Sequence, residues 1–344
     1  MLTAPPQLTS RLQRSRGIAK RAGVDLGSHA AKIVLATDDR GERTVVAAAR
    51  IPMPPTAAED PVAQAAAVGQ WLRDFSWRTT YPAACSLPAR FTDYETQPLC
   101  AAEEDIDGAA AEAVEQLLGS AAADATYDYW ETQDDEDDST LHLAWAASEV
   151  TVAVPRELER WGLVCQNLEP TLTALARISA PDEAELVVDL GHDGAAFVLA
   201  SAGAASYVRP RVAVSTRVAV QSVAEVLQVS PPASETLLQQ WGCANAAGRL
   251  AAQVRGGLES WLRTLQFEVH RTLDYASHCG IGQSVERVVL CGGGSMIRGL
   301  APWLQEKLTV PVVTAAPPAA TWTAAQPYAP LFAQAAALAL GGQL

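Results

Sequence analysis

Apolar residues along this chain fall into short runs broken by polar or glycine-containing turns, and one such pattern occurs twice. Residues 22–26 form an apolar run holding Asp25, turn through small and polar residues around Gly27, and leave on a second apolar run; residues 186–190 do the same around Gly191. Each reads as a strand-turn-strand hairpin. Asp25-Leu26-Gly27-Ser28-His29-Ala30-Ala31-Lys32-Ile33-Val34-Leu35-Ala36 and Asp189-Leu190-Gly191-His192-Asp193-Gly194-Ala195-Ala196-Phe197-Val198-Leu199-Ala200 agree at seven of twelve positions. The duplication implies two similar half-molecules with a cleft between them, each offering a carboxylate at the end of a buried strand.

Residues 43–51 continue as strand material, and the prolines of 52–55 end it. Val62, Ala65, Val68, Leu72 and Phe75 at helical spacing predict a helix over 61–75, and 83–87 a strand stopped by Pro88. From 91 to 166 the texture changes. A strand (94–99), an acidic Ala-rich helix (101–118), a strand pair (127–132 and 141–147), a third strand (149–154) and a helix (156–164) predict a small inserted α+β subdomain. A helix over 169–178 leads to the Pro181-Asp182-Glu183 linker. Beyond the second hairpin come a strand (206–214), helices (216–227 and 234–241) and a long helix (248–277), whose Leu258, Trp261, Leu262 and Leu265 read as core. A strand (285–291), the turn Gly292-Gly293-Gly294 and a helix (296–308) with Ser295 as N-cap follow.

With 344 residues, 49% of them hydrophobic, the chain has material for two or more domains with sizeable cores. No apolar run approaches the ~20 residues of a membrane span, and 331–340 is interrupted by Gln334. Residues 1–22 carry several basic residues and no apolar signal-peptide core, so a cytoplasmic location is expected. The six cysteines are scattered without a C-x-x-C pair, which predicts reduced core residues rather than a disulfide framework or zinc site. A net charge of −14 disfavours nucleic acid and extended anionic-membrane surfaces. The exception is the basic stretch 11–21, whose charges could meet acidic lipid headgroups but which reads first as a solvated, disordered tail. Asp134-Asp135-Glu136-Asp137-Asp138 lacks the alternating spacing of a calcium loop and reads as a solvated hairpin tip.

The chemistry gathers at the repeated hairpins. A glycine-rich turn aims successive N–H groups into one concavity, which suits phosphate, and the adjacent carboxylate suits a hydrated divalent cation. Two such turns face to face would clamp a nucleotide, although strand-Asp-x-Gly-strand is also a common turn. Three glycines after a buried strand admit a flat ligand against bare backbone, or simply a tight turn with positive φ. His29 and His192 fall in the two loops, as metal ligands, proton carriers or ordinary polar loop residues; no third metal ligand is evident.

With the two Asp-x-Gly hairpins and strand-Gly-Gly-Gly-Ser-helix in this order, residues 23–342 resemble the actin-like nucleotide-binding superfamily. Within it they resemble the PilM family, cytoplasmic scaffolds of type IV pilus assembly related to the cell-division protein FtsA. The resemblance implies an α/β fold with actin-like (ribonuclease H-like) duplicated domains flanking a nucleotide cleft and a small α+β 1C-type insertion. It divides the chain into a disordered basic tail (1–21), domain 1A (22–90 with 167–183 and 323–344), the 1C-like insertion (91–166), domain 2A (184–220 with 286–322) and domain 2B (221–285).

Gly23-Val24-Asp25-Leu26-Gly27-Ser28 with Lys32 looks like the family's first phosphate loop, and Val187-Val188-Asp189-Leu190-Gly191 like the second. Glu268-Val269-His270-Arg271-Thr272-Leu273-Asp274-Tyr275 resembles the helix whose Glu and Arg face the nucleoside. Val288 to Leu300, with Gly292, Gly293, Gly294 and Ser295, resembles the adenosine motif. Ser234-Glu235-Thr236-Leu237-Leu238 keeps the Glu of a family segment and loses its Lys. The resemblance thus implies ATP with magnesium, Lys32 and the hairpin amides on phosphate, and Asp25 and Asp189 on magnesium-bound water. It also implies a partner, the N-terminal peptide of a PilN-like inner-membrane protein held by domains 1A and 1C, alongside other pilus components at the inner face of the membrane.

Departures fall on the second loop, where His192, Asp193, Gly194 and Ala195 replace hydroxyl residues and Asp193 would repel a terminal phosphate. The first loop reads Ser28-His29-Ala30-Ala31 in place of a run of serines, and Ser215-Thr216 stands where a Gly-Gly pair is expected. No residue reads as a hydrolytic base, so the implied role is binding with at most weak ATPase activity. A scaffold without nucleotide and an ATPase of the same superfamily are the alternatives.

Overall fold

The computed structural model describes residues 19–74, 80–99, 105–133, 139–180, 183–201, 203–245, 247–278 and 285–341. Most of the basic tail, the acidic run 134–138, Phe75, Cys100, Cys279 and the first residues of the helix expected from 101 lie outside them.

The repeated hairpins become the centres of two sheets built alike. In the first half, β1 (Ala19–Asp25), β2 (Ala30–Asp39) and β3 (Glu42–Pro52) run antiparallel; α1 (Pro61–Asp74) then returns the chain to β4 (Tyr81–Leu87), parallel to β1. Both faces of β1 are covered, which is why its residues from Ala22 to Asp25 are buried without alternation.

Next comes a small sheet of β5 (Asp93–Leu99), β6 (Ala125–Gln133) and β7 (Ser139–Ala147), ordered β5-β7-β6, with α2 (Ile106–Leu118) between β5 and β6 in sequence. Asp105 caps α2 by accepting from the Gly108 N–H at 2.9 Å. Ala110, Ala113 and Val114 pack on Leu141 and Leu143, covering one face of this sheet. On its other face His142, fully buried, stacks on Trp130 and takes Tyr94 and Thr132 hydroxyls on its two ring nitrogens at 2.6 Å each.

The chain then forms α3 (Ser148–Arg160) and β8 (Leu163–Pro170), and here the sequence expectation fails. The strand over 149–154 and helix over 156–164 are one helix followed by a strand. Val150, Val154 and Leu158, four residues apart, form a helical stripe against the core of the first sheet, and that packing overrides both the β-branched run and the break expected at Pro155. β8 pairs in parallel with β4, so α3 and β8, expected in the insertion, complete the first sheet rather than the small one. The helix expected over 169–178 shrinks to α4 (Thr171–Ala176) because β8 runs on to Pro170.

The second half repeats the plan with β9 (Glu185–Leu190), β10 (Ala195–Ser201) and β11 (Ala204–Val212) antiparallel. Helices α5 (Thr216–Leu227), α6 (Pro231–Gln240) and α7 (Arg249–His278) intervene before β12 (Arg287–Cys291), which is parallel to β9. After a 3-10 turn come α8 (Leu300–Gln305), β13 (Val312–Thr314), the two-residue β14 (Thr321–Trp322) and α9 (Ala333–Leu340). The helix expected over 296–308 is therefore shorter, and Ser295 is not its N-cap: Gly299, in the left-handed region, precedes α8. The sheets read β14-β3-β2-β1-β4-β8 and β11-β10-β9-β12-β13, so the repeat seen in twelve residues extends to five strands.

Among the described residues no helix is long and apolar enough to cross a membrane. Cys85, Cys165, Cys243 and Cys291 are free, and burial pushes the Cys165 and Cys243 thiols up to about 12.

Candidate functional site

The β1–β2 and β9–β10 turns face each other across a cleft of about 740 Å³. They share a constraint: a Cβ on Gly27 would sit 2.7 Å from the Ala30 carbonyl oxygen, and one on Gly191 2.7 Å from that of Gly194. Each turn therefore closes only over a glycine. The symmetry breaks one step further in. Asp25 stands opposite Lys32 in the first hairpin, whereas Asp189 stands opposite Ala196 in the second.

One lysine consequently serves two carboxylates. Lys32 Nζ lies 2.8 Å from Asp25 Oδ2, and Asp189 faces the same cleft. Burial works to lower the Lys32 pKa, but the Asp25 and Asp189 charges outweigh it and the ammonium is held above its ordinary value. Asp189 is raised to about 6, chiefly by burial, with the Asp25 charge adding and Lys32 opposing. The backbone behind Asp189 is Gly292, at φ +75°, where a Cβ would fall 2.0 Å from Asp189 Oδ1. Gly292 is glycine because the carboxylate leans on it.

Nearer the mouth, side chains join the two halves directly. The His29 and His192 rings stack with centroids 4.2 Å apart, and His29 Nε2 lies 3.3 Å from Glu235 Oε1 of α6. The His192 pKa is lowered, first by burial and then by His29 beside it. Asp193 accepts from the Arg90 guanidinium, with Arg217 Nε 3.8 Å away and the Ser28 side chain near enough to favour its charged form. Burial works to raise its carboxyl; Ser28, His192 and Arg90 together outweigh that and hold it below the usual carboxylate range. Arg90 reaches Asp193 from the connection after β4, where it also pairs with Glu59 at 3.0 Å.

Of the residues expected at the site, Asp25, Gly27, Ser28, Lys32, Asp189, Gly191, Glu235, Gly293 and Gly294 line the cleft. Four do not. Gly292 sits behind Asp189, and Ser295, buried, donates its hydroxyl to the Gly292 carbonyl at 2.6 Å. Glu268 and Arg271 lie elsewhere because α7 turns this face toward β11: Glu268 holds Arg209, Arg209 also donates to Thr272 Oγ1 at 2.7 Å, and Arg271 is exposed. Arg90 and Arg217, which no motif marked, are cleft residues instead. Among the described residues no group of three His, Cys, Asp or Glu side chains is placed to hold a metal ion, and the stacked imidazoles present faces rather than converging lone pairs.

No protein-family model matches the chain, and no curated protein matches it by sequence. Solved structures do. A PilM–PilN type IV pilus biogenesis complex matches over 95% of this chain and 98% of its own, at TM-score 0.74 and 22% identity. The fold is actin-like. The ethanolamine utilization protein EutJ from Carboxydothermus hydrogenoformans shares it over 94% of this chain and 90% of its own, at TM-score 0.53 and 15% identity. A MamK double helical filament matches over 94% and 98%, at TM-score 0.50 and 11% identity.

Proposed function

We propose that this chain is a cytoplasmic actin-like scaffold of type IV pilus assembly, peripheral at the inner face of the cytoplasmic membrane. It would bind the N-terminal peptide of a PilN-like inner-membrane protein, with an adenine nucleotide and magnesium as a structural, state-setting ligand. The observation that carries this reading is the paired cleft, with Lys32 between Asp25 and Asp189 at its inner end, inside a fold shared with a structure described as a PilM–PilN complex.

The inner cleft fits the ligand. Gly293 would carry a Cβ into open space, so its backbone is free for a flat ring, and Gly294, Glu235 and Leu238 border the same cavity. Lys32 and the turn amides suit phosphate, while Asp25 and Asp189 suit the waters of a magnesium ion. The small sheet supplies the link to a partner. Trp130 of β6 donates to the Ala205 carbonyl of β11 at 2.7 Å, and Arg211 of β11 reaches the Thr92 carbonyl and Asp93. A ligand that favours one arrangement of the halves would bias how this sheet sits, and with it the partner surface.

The test measures binding of a synthetic PilN-like N-terminal peptide to the full chain, with and without magnesium nucleotide, in wild type and Trp130→Ala. Peptide affinity that rises with nucleotide in wild type and loses that dependence in the variant supports the reading. No peptide binding under either condition sinks the partner. A second reading, a scaffold without nucleotide, is favoured by the mouth contacts already joining the halves; unchanged thermal melting with magnesium nucleotide would support it, because a ligand specific to the folded state must raise the midpoint. Rapid phosphate release would instead point to an ATPase.

A further inference from the structure

We propose that Asp193 is a built-in occupant of the terminal-phosphate position, so that the cleft accepts a nucleoside diphosphate in preference to a triphosphate. This rests on the nucleotide reading above and specifies which nucleotide.

Two guanidiniums from separate elements converge on the Asp193 carboxylate, Arg90 after β4 and Arg217 in the first turn of α5, and Ser28 at the tip of the first hairpin lines the cleft beside them. Two guanidiniums around one anion, with a hydroxyl at hand, are the groups that would grip a phosphate. Here the anion belongs to the protein. A phosphate chain laid between the two turns has Lys32 at its inner end and Ser28 at its outer end, where Asp193 already holds Arg90. The space at the outer end is thus filled by a carboxylate whose ligands come from both halves of the molecule.

Adding a terminal phosphate there would place roughly two negative charges beside the carboxylate and take away its arginine partners. A diphosphate stops short of that point and leaves the cross-cleft contacts whole. It also profits from them, because the halves are already joined around it and less ordering remains for the ligand to impose. Asp193 would then be a specificity-determining residue acting by competition for donors, without touching the nucleoside.

The test is calorimetric titration of the full chain with Mg-ADP and Mg-ATP at neutral pH, in wild type, Asp193→Asn and Asp193→Ser. Asp193→Asn keeps the side-chain volume and an acceptor oxygen for Arg90, which guards against a folding defect, and unliganded melting checks both variants. Wild type should bind Mg-ADP at least ~10-fold more tightly than Mg-ATP. Both variants should gain ~10-fold or more for Mg-ATP while Mg-ADP changes by less than ~3-fold, so that the preference is lost or reversed. Equal affinities in wild type, or an unchanged ratio in the variants, would overturn the assignment of Asp193 while leaving a nucleotide site intact. If neither nucleotide binds any of the three proteins, the nucleotide reading itself fails and this inference goes with it.

Discussion

The imidazole of His29 lies on that of His192 with the planes 9° from parallel, each ring coming from the turn of a different half. The stack is therefore a joint across the cleft, and it is stable only while the pair stays neutral or singly charged. Burial, His29 and Arg217 oppose a proton on His192, while Asp193 and Glu235 favour it. The folded-state pKa of His192 lies below its ordinary value of 6.5, so the folded protein gives up this proton more readily than the unfolded chain. Its contribution is fully present above ~6.5 and declines as pH falls. Small-angle scattering should record a larger radius of gyration at pH 5.5 than at 7.5 for the unliganded protein. His192→Ala should make that radius nearly independent of pH over this range; an identical pH response in the variant would count against the joint.

His142 should give the protein a second, purely structural acid sensitivity. Burial pushes its pKa down to about 4, and its two hydroxyl partners hold the ring between Trp130 and the rest of the small sheet. A depressed histidine makes the folded state bind fewer protons, so stability is lost between ~6.5 and about 4 as the solution is acidified. Stability measured by urea unfolding should be lower by roughly 2 kcal/mol at pH 5 than at pH 7.5 through this group. His142→Gln should flatten that part of the profile. If wild type and variant run parallel, the ring is not the cause.

Asp189 shifts the other way. Its carboxyl, raised to about 6, is favoured protonated in the folded state, so its contribution is present at low pH and lost as pH rises through about 6. Asp189→Asn, neutral throughout, should melt higher than wild type at pH 8 without divalent ions and show a smaller advantage at pH 5. The same variant should respond less to magnesium nucleotide. A melting difference independent of pH would mean that the carboxylate is already compensated.

Gly292 and Gly293 are neighbours with opposite tolerance. Gly292→Ala forces a side chain into the left-handed region and onto Asp189 Oδ1, and should cost about 2 kcal/mol or more. Gly293→Ala meets nothing within 4 Å and should leave the melting temperature nearly unchanged while weakening nucleotide binding. Equal destabilisation by the two would show that the turn, rather than the cleft, constrains Gly293.

Much of the fold was legible in the chain because its signals are local. A hairpin needs only a run of apolar residues, a glycine and another run, and Gly27 and Gly191 prove indispensable for the same backbone contact. The duplication then disclosed two halves and a cleft, which Asp25 and Asp189 both line. What was misread depended on partners distant in sequence. Residues 149–154 read as a strand, yet joined a helix because Val150 and Val154, in line with Leu158, met a core formed by other elements. Glu268 and Arg271 match a motif, but the way a 30-residue helix lies over β11 pairs Glu268 with Arg209 and leaves Arg271 exposed, neither of them lining the cleft. Arg90 lies 103 positions from Asp193, and no spacing rule could have joined them. Periodicity and turn chemistry act through a handful of neighbouring residues; the direction a side chain finally takes, and the charge that meets it, depend on how whole sheets and helices come to rest against one another.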